Sequence, residues 1–305
     1  MPDASWRSIP DVCELTLVRG PAARGEPSLL LEVPHGATRA EHFDALRAAL
    51  AGDFPADLRD FFFVNTDVGA PELALRIAEL VVAADPRRSA VVLRSLIPRT
   101  FVDCNRVIDA ATKPKSSGRG EMTPGVHAWV RDPHDLELLL ARYGAYRELV
   151  ESACARVLEG GGLALMVHSY APRSLDVPVD ERIVERLREE YQPGRIERWP
   201  LRPEVDLIAD DPEGRTLASE ALVGSVQREL AAAGVGVARC ATYALHPVTL
   251  ANTIAQRYPQ RTLCFEVRRD LLVEEWTPFA EMHADAARVE RIAAPLARAL
   301  GAANG

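Results

Sequence analysis

Several features that would assign this chain to a specialised class of protein are absent. Its 305 residues include five cysteines at scattered positions, with no Cys-x-x-Cys pair. Neither a disulfide framework nor a cysteine-rich zinc site is therefore expected. No apolar run approaches the roughly 18 residues of a membrane span, and the initial sequence MPDASWRSIP lacks the basic and apolar segments of a secretion signal. These absences predict a cytoplasmic protein that does not act at a membrane.

The charge pattern argues against nucleic acid as a partner. The net charge is −8 at pH 7, and the basic residues are spread along the chain, whereas a nucleic-acid surface needs clustered lysine and arginine. A serine-hydrolase elbow is also missing, because VGSVQ (223–227) lacks the second glycine of Gly-x-Ser-x-Gly. What is present is an apolar content of 48%, which is ample for the core of a large domain.

Short apolar runs alternate with amphipathic stretches along the chain. Runs with the length and composition of strands lie at 28–36, 60–67, 89–96, 163–169, 205–210 and 261–272. Stretches typical of helices lie at 40–50, 71–83, 135–159, 217–234 and 279–300. The alternation predicts an α/β fold with a mixed, mostly parallel central sheet and helices on both faces.

Two segments interrupt this alternation. Residues 109–135 are rich in Gly, Pro and Ser, and residues 172–205 carry at most one short helix. Loops of that length in compact domains are usually lids, binding loops or disordered. Because no internal repeat or linker divides the chain, we expect one domain over 1–305, with insertions at about 109–135 and 172–205 that wall a pocket.

Polar side chains lie near the predicted strand ends. His35 and His168 end two of the apolar runs, Asp67 follows a third, and Glu266 lies inside the last. Open α/β sheets keep their sites at the carboxyl ends of the strands. Two imidazoles and one carboxylate give zinc three protein ligands and leave a position for water. A separate glutamate can accept the proton of that water.

The segment after the third run, PRTFVDCNR, adds a group of polar residues, namely Arg99, Asp103, Asn105 and Arg106. An arginine near a metal site can stabilise the oxyanion that develops during hydrolysis. The pattern therefore indicates metal-assisted hydrolysis.

Each of these residues also has a structural interpretation that the sequence leaves open. His35 follows a proline and could be a turn residue, and Asp67 could cap the helix that begins near Pro71. Glu266 in an apolar strand needs a partner, which Arg268 or Arg269 could provide in an ion pair. The remaining histidines divide into three groups: His127, His134 and His283 are expected at the surface, His42 lies in the first helix away from His35, and His246 stays unassigned.

Five motifs occur in an order that resembles a known family. They are VPHG (33–36), TD with ELA downstream (66–74), PRTFVDCNR (98–106), VHSY (167–170) and CFEVRRDLLVEEW (264–276). Together they resemble the N-formylglutamate amidohydrolase family, within the zinc carboxypeptidase and aspartoacylase-like superfamily. The resemblance extends from residue 33 to residue 276 and implies a phosphorylase/hydrolase-like, zinc carboxypeptidase-like fold.

The resemblance also implies a metal site. His35 and His168 would be the imidazole ligands of one zinc ion, and Asp67 would be the carboxylate ligand, with Glu72 in reserve. Zinc is the usual occupant of such a site, although the sequence does not separate it from other divalent ions.

The resemblance assigns the remaining residues to the reaction. Glu266 would be the general base and then the proton donor to the leaving amine. Arg99 would polarise the scissile carbonyl and hold the oxyanion. Asn105 and Arg106 would bind the carboxylate of the substrate, for which a guanidinium fork is suited. The expected partner is thus a small amide that bears a carboxylate, such as an N-formyl or other N-acyl amino acid.

The chain departs from the family pattern at positions that concern the substrate. Thr38 stands where the carboxypeptidases have a glutamate ligand, and Gly36 and YALHPVTLANT (243–253) replace other family residues. Two alternatives therefore stay open, namely a carboxypeptidase for short peptides or cell-wall fragments and a non-catalytic ligand-binding protein. A pocket closed by 109–135 would favour small substrates, whereas an open groove would favour peptides.

Overall fold

The computed structural model describes residues 6–109 and 111–302. Seven strands form one sheet in the order β1-β3-β2-β4-β7-β5-β6. In chain order the strands are β1 (Cys13–Arg19), β2 (Leu29–Val33), β3 (Ser89–Ser95), β4 (Leu163–Tyr170), β5 (Val205–Ile208), β6 (Val237–Arg239) and β7 (Thr262–Arg268).

Eight α-helices surround the sheet within the described residues. They are α1 (Ala40–Ala48), α2 (Leu58–Asn65), α3 (Ala70–Ala84), α4 (Pro133–Leu158), α5 (Ile183–Glu190), α6 (Glu220–Ala232), α7 (Leu250–Arg257) and α8 (Ala286–Ala302). Apolar side chains of α3, α6 and α8 form one core with the sheet, and those of α1, α2, α4 and α7 contribute to another. Helices therefore cover both faces of the sheet, as the sequence predicts.

The centre of the sheet is parallel and its margins are not. Strands β3, β2, β4 and β7 pair in parallel, β1 runs antiparallel to β3, and β5 runs antiparallel to β7 while pairing in parallel with β6. All eight residues of β4 are buried, and its alternate side chains enter the two cores. The predicted mixed, mostly parallel sheet is confirmed.

One predicted strand is wrong. Residues 60–67 do not form a strand, because most of this run lies in helix α2. Four consecutive residues of the helix, Phe61 to Val64, are buried, so the run is apolar on every side. Periodicity alone does not separate a fully buried helix from a fully buried strand. Strands β1 and β6 and helix α7 were not predicted, and α8 begins at Ala286 rather than at 279.

The two insertions contact each other over the carboxyl edge of the sheet. Ser117 and Val179 exchange two backbone hydrogen bonds in an antiparallel bridge, and the backbone N–H of Gly120 donates to the Asp176 carboxylate at 2.8 Å. The short helix expected in the second insertion is α5. Among the described residues, no helix is both long enough and apolar enough to cross a lipid bilayer.

Candidate active site

Three buried side chains converge at the carboxyl edge of the sheet. Asp67 Oδ2 lies 3.2 Å from His35 Nδ1 and 3.0 Å from His168 Nδ1. One donor atom of each residue lies within 4.8 Å of the others, so the group could hold a metal ion. The structure therefore brings together the three residues that the sequence analysis nominated as ligands.

The fold explains how residues so distant in sequence meet. His35 follows the end of β2, and His168 lies near the end of β4, which pairs in parallel with β2. Asp67 comes two residues after α2, and its backbone N–H donates to the carbonyl of His35 at 3.4 Å. Although the strand expected before Asp67 is a helix, the carboxylate still arrives at the same edge.

Further buried groups hold these side chains from behind. Asp103 Oδ1 lies 2.7 Å from His35 Nε2, and Arg269 Nη2 donates to Asp67 Oδ1 at 3.3 Å. The backbone N–H of Ser169 donates to Asp67 Oδ2 at 3.3 Å. Such outer contacts fix the tautomer and the orientation of metal ligands.

Charge stabilisation in this cluster outweighs the cost of burial. Burial alone would raise the pKa of Asp67, but the charge of His35 and the hydrogen bonds with both histidines hold that pKa well below its usual range. Burial would lower the pKa of His168, yet its contacts with Asp67 and Cys264 raise that pKa well above its usual value. Asp67 therefore stays ionised and favours a cation between the imidazoles.

Glu266 on β7 lies next to His168 on the neighbouring strand β4. The two residues are directly paired between β4 and β7, and both line the same pocket. Glu266 Oε2 is buried and has no hydrogen-bond partner among the described residues. Burial raises the pKa of Glu266, with His168 opposing the shift.

The ion pair with Arg268 or Arg269 that would give Glu266 a purely structural role is not formed within the described residues. Arg268 Nε donates instead to Asp270 at 2.9 Å, and Arg269 pairs with Asp67 at 3.3 Å. A buried carboxylate oxygen without a hydrogen-bond partner is costly in a purely structural position. Its place in the pocket is consistent with a role in proton transfer.

Arg99 lies beside His35 and Asp67. Its Nη2 donates to Asp103 Oδ2 at 2.8 Å, and its Nη1 lies 3.3 Å from His35 Nδ1 and 3.8 Å from Asp67 Oδ1. The guanidinium thus faces the donor atoms of the cluster and lines the pocket. It is the cation best placed to stabilise negative charge on an oxygen bound there.

Asn105 and Arg106 also line the pocket. Arg106 donates from Nε and Nη2 to Thr123 and from Nη1 to the Asn105 carbonyl, at 2.8–3.1 Å. These bonds use three of the five N–H donors of a guanidinium. Two donors are left for a ligand, together with the Asn105 amide.

The pocket that contains these residues has a volume of about 500 Å³, within the usual range for small-molecule sites. Both insertions contribute to its walls through residues 117–123 and 174–179. The pocket is therefore covered on the side where the sequence predicted a binding loop.

Glu72, the reserve ligand, lies in the first turn of α3, and the metal-ligating group contains Asp67 instead. One expectation is not met. His127 was expected at the surface but is only 2% exposed and stacks on Trp129 at 4.4 Å between ring centroids. Its sequence context is polar and loop-like, so no local signal indicates burial. His134 and His283 are exposed, as expected.

Sequence reasoning also missed two functional contacts. The sequence offers Arg269 as a partner of Glu266, but Arg269 contacts Asp67 instead. The sequence places Asp103 in a motif without a separate role, and in the structure it forms the second carboxylate contact of His35. The Asp-x-Asn-Arg spacing could have indicated Asp103, because its carboxylate also accepts the backbone N–H of Asn105 at 2.9 Å and so shapes that turn.

Comparison with solved structures identifies the fold. An N-formylglutamate amidohydrolase from Ralstonia eutropha JMP134 matches 95% of this chain and 98% of its own, with a TM-score of 0.58 and 20% sequence identity. This chain has the fold of that N-formylglutamate amidohydrolase. A gene product of Agrobacterium tumefaciens matches 96% of this chain and 94% of its own, with a TM-score of 0.53 and 17% identity.

The likeness to the N-formylglutamate amidohydrolase extends over nearly the whole of both chains, so it includes the central sheet and the helices on both faces. No protein-family profile matches the sequence. No curated protein matches it either. The solved structure that shares this fold is an N-formylglutamate amidohydrolase, the family that the five motifs resemble.

Proposed function

We propose that this chain is a metal-dependent hydrolase that cleaves the C–N amide bond of an N-formyl or other N-acyl amino acid. The observation that carries the proposal is Glu266, whose buried Oε2 has no hydrogen-bond partner among the described residues and which lies beside a group of two histidines and an aspartate that could hold a metal ion. The fold shared with an N-formylglutamate amidohydrolase supports the reaction class.

The chemistry of the donor set fits zinc. His35 Nδ1, His168 Nδ1 and Asp67 Oδ2 would hold the ion, and imidazole and carboxylate are common zinc ligands. Asp103 and Arg269 already support two of these ligands from behind. When bound, zinc supplies Lewis acidity toward the scissile carbonyl and toward water.

The chain's own residues carry the proton transfers. Glu266 accepts a proton from the attacking water and passes it to the nitrogen of the leaving amine, so that the carboxylate is regenerated. Its raised pKa suits this double role, because a group that titrates closer to neutral pH both accepts and donates readily. Arg99 stabilises the negative charge that develops on the carbonyl oxygen.

The substrate is held by its carboxylate. Asn105 and the two unused donors of Arg106 would bind it, and charge-assisted bonds of this kind fix orientation as well as supplying affinity. With the carboxylate at this end, the amide lies between Arg99 and Glu266. This placement matches the requirement that reacting groups be prealigned.

The walls of the pocket favour this proposal over a carboxypeptidase for longer peptides. Residues 117–123 and 174–179 are joined by backbone hydrogen bonds and close one side of the site. A non-catalytic binding protein would not need Glu266 unpartnered beside the metal ligands. For either of these alternatives, the carboxypeptidase or the binding protein, substitution of Glu266 would not abolish an activity on small N-acyl amino acids.

The first test is elemental analysis of the purified chain beside His168→Ala. We expect about one zinc per chain in the wild type and a marked loss in the variant, because one of three ligands is removed. His134→Ala, which changes an exposed histidine, is the control and should keep its metal. A wild type that takes up no metal after zinc is added would contradict the proposal.

The second test is the activity of Glu266→Gln on N-formyl and N-acetyl amino acids. We expect kcat/KM to fall by about 10²–10⁴-fold with zinc content unchanged, since general acid–base catalysis contributes that much. Glu275→Gln, at an exposed position nine residues away, should behave as the wild type. Full activity in Glu266→Gln would exclude the proposed mechanism.

A further inference from the structure

The pocket has an apolar extension on the β5 side of Glu266. Side chains two residues apart on a strand share a face, so Cys264 and Glu266 both face the pocket from β7. Ile208 on β5 is paired directly with Cys264 and lines the pocket as well. The pocket surface therefore changes from the acidic Glu266 to the apolar Cys264 and Ile208 over two residues of β7.

Leu245 and Ala251 add two more apolar side chains to the pocket. Both line the pocket and are 4% exposed. The backbone N–H of Ala251 donates to Asn105 Oδ1 at 3.3 Å, so Ala251 lies directly beside the residues proposed to bind the substrate carboxylate. We call the space bounded by Ile208, Leu245, Ala251 and Cys264 the apolar recess.

The apolar recess offers little to a charged group. Cys264 is only 5% exposed, and the other three side chains carry only hydrocarbon. An ionised side chain placed there would lose its hydration without gaining a partner. An aliphatic side chain would instead gain about fourfold in affinity for each methylene that it buries.

Arg202 is the cation of this pocket that could otherwise recognise a second carboxylate. Its Nε, Nη1 and Nη2 already donate to Ser174 Oγ, the Ala171 carbonyl and Tyr243 Oη at 2.9, 3.2 and 2.9 Å. Its guanidinium also lies 4.9 Å from the centroid of the Tyr170 ring. These bonds use three of its five N–H donors, so a second carboxylate would have to share Arg202 with the protein, and the glutamate compound in the test below examines that possibility.

We infer that the amino acid of the substrate has an aliphatic side chain that packs against the apolar recess. The inference rests on the proposed function, because Asn105 and Arg106 would place the α-carbon beside the recess. It assigns Ile208, Leu245 and Ala251 as residues that determine specificity. The shared fold with an N-formylglutamate amidohydrolase would not by itself have suggested this side chain.

The test measures binding separately from turnover. Glu266→Gln chain supplied with zinc is titrated in a calorimeter with N-acetyl-L-leucine, N-acetyl-L-alanine and N-acetyl-L-glutamate. We expect the leucine compound to bind at least about tenfold more tightly than the other two, from the fourfold gain per buried methylene. Tighter binding of the glutamate compound, lost in Arg202→Gln, would overturn the inference, as would binding of none of the three.

Two alanines of α7 provide a matched pair of variants in the same Glu266→Gln background. Ala251 and Ala255 are both buried and lie one turn apart, but of the two only Ala251 lines the pocket. Ala251→Val should weaken leucine binding about tenfold or more and leave alanine binding within about threefold. Ala255→Val should leave both unchanged. Equal effects of the two substitutions would contradict the inference.

Failure of the inference and failure of the proposed function give different results. If wild-type chain hydrolyses N-acyl amino acids without favouring leucine over glutamate, the proposed function stands and the assigned recess is wrong. If the leucine compound binds preferentially but no amide is hydrolysed, the recess stands and the hydrolase is wrong.

Discussion

Two buried histidines of this chain, His168 and His127, lie in regions of opposite character. His168 contacts the Asp67 carboxylate at 3.0 Å, and this contact raises its pKa against the effect of burial. His127 lies in an aromatic stack with Trp129 and Phe61, and burial lowers its pKa to about 3. Burial alone thus does not decide the protonation of a histidine, whereas an adjacent carboxylate does.

The comparison separates a histidine that contacts a carboxylate in the pocket from a histidine that packs in an aromatic stack. The aromatic stack contacts the segment that carries Arg99, since Trp129 Nε1 donates to the Thr100 carbonyl at 2.9 Å. Val102 and Val126 form a bridge between the same two segments. His127 therefore lies in the packing beside the segment that carries Arg99 and does not line the pocket.

The largest expected difference comes from replacing each histidine by phenylalanine. His168→Phe removes a proposed ligand, so zinc content and amidase activity should be lost. His127→Phe keeps an aromatic ring in the stack, so zinc content should stay near one per chain and kcat/KM should stay within about tenfold. Elemental analysis and initial rates measure both.

The free energy of unfolding provides the control for this comparison. If His168→Phe lost its metal only because it unfolded, its circular dichroism and urea midpoint would show that. Retention of zinc in His168→Phe, or its loss in a folded His127→Phe, would reverse the assignment of the two histidines.

The pH dependence of stability should be the next largest difference. His127 has a folded-state pKa of about 3, below the value of about 6.5 in an unfolded chain. Between these values the unfolded chain binds the proton more tightly, so stability is highest above pH 6.5 and falls as the pH is lowered. The contribution of His127 is at most about 1.4 kcal/mol per pH unit.

Urea unfolding of wild type and His127→Phe at several pH values between 6.5 and 4 measures this contribution. Because other titrating groups are common to both proteins, the difference between the two curves isolates His127. We expect the variant to lose less stability on acidification than the wild type. Parallel curves would show that His127 is not held neutral by its surroundings.

A smaller effect, on zinc affinity, is expected from replacing Asp103, whose carboxylate contacts His35. Asp103→Asn keeps the shape of the side chain but removes the charge that lies 2.7 Å from His35 Nε2. Loss of such an outer contact typically weakens metal binding about 10–100-fold. Competition with a zinc chelator measures the change, and Asp109→Asn, at an exposed position, should leave zinc affinity unaltered.

The motif segments show which parts of the site the sequence could predict. His35 and His168 follow or end apolar runs that are strands in the structure, and parallel strands necessarily bring their carboxyl ends to one edge. The apolar run before Asp67 is predicted as a strand but forms a helix. Its four consecutive apolar residues, Phe61 to Val64, would suit a buried helix and a buried strand equally well.

The sequence by itself determined the parallel centre of the sheet, its cover of helices and the residues available at its edge, because these follow from local periodicity and chain order. Only the tertiary structure decided the burial of His127, the pairing of Arg269 with Asp67 rather than Glu266, and the apolar recess beside Asn105. Each of these depends on contacts between segments far apart in the chain, and the free energy of a buried charge is set by those neighbours and not by its own sequence context.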